Sequence, residues 1–110
     1  MKERQAQIAF AALSQETRLR IVRELVVAGP QGLAAGAIAE AVGVSASNVS
    51  FHLKELEAAE LVRARRDGRS MFYASDHGTL ADLIRFLLDD CCSGRLVVSR
   101  PSAATEESPT

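Results

Sequence analysis

Cys91 and Cys92 stand side by side in the run LLDDCCSGR, and they are the only two cysteines of the 110-residue chain. Thiolates are soft ligands that select thiophilic centres. Two reduced neighbours therefore suggest metal, redox or catalytic chemistry more than a structural disulfide. Asp89 and Asp90 precede the pair and Arg95 follows it. The carboxylates and a helix C-terminus disfavour thiolate, whereas the arginine favours it. Adjacent residues of a regular helix point about 100° apart. At a fraying end before Ser93-Gly94 the backbone can relax until both sulfurs reach one ion. The plainer alternative is two small apolar side chains filling a seam between subunits.

A second group of polar residues lies in SASNVSFHLKELEAAE. On a helical wheel Val49, Leu53 and Leu56 fall on one side, which must face a core. Ser47, Phe51 and Lys54 fall on the opposite side, flanked by Asn48 and Ser50, and Ser45 is the natural N-cap. Serine and asparagine hydroxyls and amides at the start of a helix can hydrogen-bond base edges and phosphates. Phe51 fits an apolar contact with a thymine methyl; the alternative is an exposed apolar side chain of no consequence. His52 sits at the edge of the apolar face. Without another ligand one turn away, it reads as packed against a neighbouring hairpin or bonded to phosphate rather than bound to metal. Arg65, Arg66 and Arg69 surround Asp67-Gly68. Arginines on a protruding β-ribbon suit phosphate or a narrow minor groove, or else form a solvated edge that blocks sheet aggregation.

Charge is distributed to match. The net charge is −1, which alone argues against a polyanion as partner. Residues 61–73, however, hold four arginines against one aspartate, a local +3. Residues 76–110 hold three arginines against six carboxylates, a local −3. Local charge decides where nucleic acid docks.

The elements that must position these groups follow from periodicity. Residues 4–13 have helical spacing, with Ile8 and Leu13 as apolar anchors. LSQETRLRIVRELVVAG predicts a helix capped by Ser14, with Leu19, Val22 and Val26 recurring and Gly29-Pro30 ending it. QGL begins a connection, AAGAIAEAV is a short helix stopped by Gly43, and the serine-rich helix follows a very short turn. That is a helix-turn-helix. Asp67-Gly68 between two β-prone runs predicts a hairpin with a type I′ turn. Leu80, Leu83, Ile84, Leu87 and Leu88 then form an apolar stripe on a last helix running through the cysteines to Gly94. Residues 1–94 are one domain. Residues 95–110, rich in Ser, Thr, Pro and Glu, form a tail expected to be disordered. The fold class is mainly α with a β-hairpin wing: a winged helix-turn-helix with an added helix at each end, five helices in all.

In LSQETRLRIVREL, VSASNVSFHLKELEAAELV and RRDGRSMFYA, spanning most of residues 13–75 in matching order and spacing, the chain resembles the ArsR/SmtB family of metal- and metalloid-responsive bacterial repressors. The resemblance implies a homodimer built through the first and last helices, with Ile8, Leu80, Leu83, Ile84, Leu87 and Leu88 at the interface. It implies that SNVSFHL enters the major groove of a palindromic operator, and that an effector lowers operator affinity. The family's Cys-x-Cys box is absent from AGAIAEAVGVS, and Asp76-His77 has the wrong spacing for its zinc motif. Vicinal cysteines at the end of the last helix resemble the branch that senses arsenite and antimonite. Relatives often carry a further cysteine, where this chain reads RLVVSRPS. A third arsenic position would fall to solvent, a cellular thiol, a partner's sulfur, or a methyl group already on the metalloid.

The expected function is a DNA-binding repressor of an arsenic-resistance operon, released when trivalent arsenic or antimony, inorganic or methylated, binds Cys91 and Cys92. The alternative effectors are a soft metal such as Cd(II) or a redox or persulfide signal. A protein-binding winged helix is the other rival. No Cys-x-x-Cys, βαβ pattern, Gly-rich phosphate loop or Ser/His/Asp arrangement is evident, so neither an enzyme nor a catalytic cofactor is expected. No apolar run would span a bilayer, and no signal-peptide core follows MKERQAQIAF. A cytoplasmic location without membrane contact is therefore expected.

Overall fold

Alanine, rather than the larger aliphatics, decides how the first helix sits. In the computed structural model, which describes residues 1–89, α1 (Glu3–Leu13) buries Ala6, Ala9 and Ala12. Three small residues at three-residue spacing let the helix lie close against its neighbours. Leu13 packs at the margin of the core, but Ile8 is 45% exposed. Ile8 is thus not an anchor within the protomer.

The second helix, α2 (Glu16–Ala28), is also rotated from the expected register. It buries Ile21, Val22 and Leu25 and leaves Leu19 and Val26 outside. The apolar run has more aliphatic residues than one face can hold, and the inner stripe is the one that meets α3 and α4. Its cap is Gln15, not Ser14: the Gln15 side chain accepts from the Arg18 backbone N–H at 2.8 Å. Ser14 instead ends α1, its hydroxyl donating to the Ala11 carbonyl.

After Gly29 the chain forms a strand where the sequence predicts a connection at Leu33 and the start of a helix at Ala34. β1 (Leu33–Ala34) pairs antiparallel with β3 (Ser70–Ser75), which pairs in turn with β2 (Val62–Asp67), giving the order β1-β3-β2. A two-residue strand carries no periodicity of its own. Gly32 makes the pairing possible: its φ is +75°, and a Cβ there would stand 2.2 Å from the Tyr73 carbonyl oxygen.

The helix-turn-helix is α3 (Ala35–Val42), a turn through Gly43, and α4 (Ala46–Ala58). Gly43 adopts the left-handed conformation, and its N–H closes α3 on the Ala39 carbonyl. Ile38, Val42, Val49, Leu53 and Leu56 fill the core between the two helices, α2 and the base of the wing. α4 ends in a Schellman motif, with the Leu61 N–H on the Leu56 carbonyl and the Glu60 N–H on that of Glu57. Glu60 holds the left-handed position at φ +63° without being glycine. Its carboxylate accepts from Gln5 Nε2 of α1 at 2.8 Å.

The hairpin turn falls one residue later than expected. Asp67 pairs with Ser70, so Gly68 and Arg69 are the central pair. Among the described residues only Gly68 of these has positive φ, the signature of a type II′ rather than a type I′ turn.

α5 (His77–Leu87) begins at Asp76, whose carboxylate accepts from the Thr79 N–H at 3.0 Å. The single apolar stripe expected on it divides in two. Leu83 is buried in the protomer core, with Leu80 and Phe86 packed beside it. Ile84 and Leu87 point outward, 52% and 61% exposed. The helix closes at Leu87, with Leu88 as its C-cap. Cys91, Cys92 and the tail at 95–110 lie outside the described residues.

Candidate nucleic-acid interface

The exposed face of α4 is assembled by its N-cap. Ser45 Oγ accepts from the Asn48 N–H at 3.2 Å and lies 3.3 Å from Ser47 Oγ. That fixes the helix start while the other first-turn N–H groups stay free for an anion. Val49, Leu53 and Leu56 turn inward as the wheel requires, so Ser47, Asn48, Ser50, Phe51 and Lys54 are all exposed. The structure brings these five onto one outward surface, as expected. Phe51 is 57% exposed and meets the His52 ring edge-on, with centroids 5.4 Å apart.

His52 faces α2, where the Arg18 guanidinium lies 3.2 Å from its Nδ1. Partial burial lowers its proton affinity below that of a free imidazole, the Arg18 charge lowers it further, and Glu55 opposes both. Sequence reasoning missed Arg18 because it lies 34 positions away, on a helix read only for its apolar spacing.

The three wing arginines are not equivalent. Arg65 is tied down: its Nη2 donates to the Gln31 carbonyl at 2.9 Å, and its guanidinium lies over the Phe72 ring at 5.1 Å. A loose 3.8 Å pairing with Asp67 adds little in water. Arg66, on the other face of β2, and Arg69, at the tip, are exposed and make no ion pair among the described residues. Arg65 therefore holds the wing to the loop before β1, while Arg66 and Arg69 are available to a polyanion.

Asp76 caps α5 and lies 3.9 Å from Arg63. Among the described residues no group of three or more His, Cys, Asp or Glu side chains is placed to hold a metal ion. No described helix is long and apolar enough to cross a membrane.

Residues 13–65 match the helix-turn-helix domain family. The chain is 34% identical to the transcriptional repressor SdpR of Bacillus subtilis, over 73% of this chain and 86% of that one. Among solved structures it resembles an ArsR-like transcriptional regulator from Rhodococcus, with TM-score 0.67 and 34% identity, over 76% of each chain. A homodimeric winged helix-turn-helix DNA-binding domain from Mycobacterium bovis, described as a possible ArsR-family regulator, matches with TM-score 0.63 and 25% identity. That match covers 90% of this chain and 97% of that one. A structure named as a possible transcriptional regulator for arsenical resistance matches with TM-score 0.62 and 34% identity, over 73% and 79%.

Proposed function

The chain belongs to the ArsR/SmtB-like family of winged helix-turn-helix transcriptional regulators, and we propose that it is a homodimeric repressor whose α4 reads the major groove of a palindromic operator while Arg66 and Arg69 contact backbone phosphate. The observation that carries this reading is the placement of Ser47, Asn48, Ser50, Phe51 and Lys54 on one exposed face of α4. Polar groups there reach base edges, and Phe51 supplies an apolar surface for a thymine methyl. Binding of the full chain to a palindromic duplex, followed by fluorescence anisotropy across a salt series, tests it. A steep fall of affinity with salt is expected, because each neutralised phosphate releases counterions. Flat salt dependence, or no binding, points instead to a protein-binding winged helix.

The proposed effector is trivalent arsenic or antimony, inorganic or methylated, held by Cys91 and Cys92. Two sources support it: the affinity of soft thiolates for thiophilic centres, and a similar regulator named for arsenical resistance. Arsenite or antimonite added to the preformed complex should release the duplex, and Cys91→Ser or Cys92→Ser should abolish that release. Release by Cd(II) or peroxide in preference to arsenite selects the alternative signals. Release by arsenite from both serine variants removes the cysteines from the reading.

A further inference from the structure

Arg18 links three helices through one side chain. Its Nε donates to the Ala12 carbonyl at 2.8 Å, and its Nη1 lies 3.2 Å from His52 Nδ1 on α4. Ala12 belongs to the last turn of α1, whose carbonyls lack intrahelical partners, so a cation there is favoured. Gln15 fixes the other end by accepting from the Arg18 backbone N–H. The residue is thus held at its backbone and at Nε before the guanidinium meets the imidazole.

A guanidinium has five N–H donors and no acceptor. The hydrogen bond between Arg18 and His52 therefore has one polarity: Nδ1 accepts, and the proton of the neutral ring sits on Nε2. The edge-on contact with Phe51 sets the plane of the same ring. Nε2 has no partner among the described residues, and it is not an enclosed, unsatisfied atom. His52 lies one turn beyond the exposed Asn48, along the edge of the face described above.

We infer that Arg18 is a positioning residue for operator recognition: by occupying Nδ1 it fixes His52 as the Nε2–H tautomer and directs that N–H to a phosphate oxygen of the DNA. The inference rests on the DNA-binding reading. The donor is uncharged, and this separates it from Lys54, Arg66 and Arg69. The charged groups acting on the ring are Arg18 from α2 and Glu55 from the next turn of α4, and burial opposes the imidazolium. A neutral donor contributes a hydrogen bond without neutralising a phosphate, so it leaves counterion release unchanged.

The test begins without DNA. Nitrogen-15 NMR of the imidazole in the full chain at pH 7.5 should show protonated Nε2 and unprotonated Nδ1 for His52. A protonated Nδ1 overturns the inference whatever the chain binds. Arg18→Leu should give a mixed tautomer and weaken operator binding about tenfold, the scale of one hydrogen bond to a charged group. Arg18→Lys, which keeps a donor, should restore most of both. His52→Gln, whose amide N–H can stand in for Nε2–H, should bind more tightly than His52→Ala, with both retaining the parent salt slope. A slope reduced by about one in His52→Ala means that a histidinium contacts phosphate, and this overturns the neutral-donor role. Tautomer change in Arg18→Leu with unaltered affinity also overturns it. The wild-type spectrum answers the tautomer question even where a variant fails to fold. Failure of the parent chain to bind any duplex sinks the DNA reading and leaves the tautomer result standing alone.

Discussion

His52 resists protonation because burial penalises the imidazolium and Arg18 repels it, against a weaker pull from Glu55. In the unfolded chain the same ring titrates near its ordinary value of about 6.5. Between the depressed native value and about pH 6.5 the unfolded state binds more protons, so stability rises with pH there and levels off above it. The urea midpoint should accordingly increase from pH 5.5 to pH 7.5, and His52→Gln should remove His52's share of that increase. A midpoint independent of pH in the parent chain contradicts the native environment described for the ring. Glu60 offers a second test at this scale. A left-handed conformation costs an L-residue about 1–2 kcal/mol, while the exposed hydrogen bond from Gln5 returns about 0.5–1.5 kcal/mol. Glu60→Gly removes both terms, and the strain is the larger in the middle of each range. The melting temperature should rise by a few degrees, whereas Glu60→Val should lower it.

At the scale of elements, the wing depends on close approach at Gly32. Any Cβ there meets the Tyr73 carbonyl and cannot be relieved by a rotamer change, because the obstacle is backbone. Gly32→Ala should therefore cost more than about 2 kcal/mol through β1–β3 separation, combined with strain at positive φ. Denaturant melts with amide exchange at Tyr73 and Ala74 would read both effects. The wing arginines should divide in DNA titrations: Arg66→Ala and Arg69→Ala each reduce the log–log salt slope by about 0.9. Arg65→Ala should act instead on folding, through Gln31 and Phe72. Equal slope changes for all three would refute that division. The helix-turn-helix, hairpin and outward face of α4 were legible because each rests on a local signal: Gly43, the Ser45 cap, Asp67-Gly68, and the spacing of Val49, Leu53 and Leu56. The register of α2, the inward alanines of α1 and strand β1 were not. Those depend on which of several apolar stripes finds a partner, and on a glycine whose role appears only when Tyr73 is beside it. The Arg18–His52 pair was illegible for the same reason, since no local pattern marks two polar residues on separate helices as neighbours.

For the whole molecule, the division of the α5 stripe separates folding from assembly. Leu83 is committed to the protomer core, so Leu83→Ala should destabilise every form of the protein by about 2–5 kcal/mol. Ile84 and Leu87 contribute little to that core, and Ile8 of α1 is exposed as well. These residues lie on two helices that touch each other at the ends of the chain's described part. Such apolar surface suits burial against a second copy. In the proposed dimer a two-fold axis would set two α4 helices toward successive major grooves, about 34 Å apart. Once one half-site is engaged, the second binds intramolecularly, at an effective concentration of about millimolar for closely linked sites. Substituting Ile84→Glu together with Leu87→Glu should therefore leave the melting temperature nearly unchanged at low protein concentration and give a monomer in sedimentation equilibrium. Affinity for an isolated half-site should persist, while affinity for the full palindrome should fall at least about a hundredfold. A dimer that survives both glutamates places the interface elsewhere. A monomer with undiminished palindrome affinity would show that one α4 and one wing suffice to read the operator.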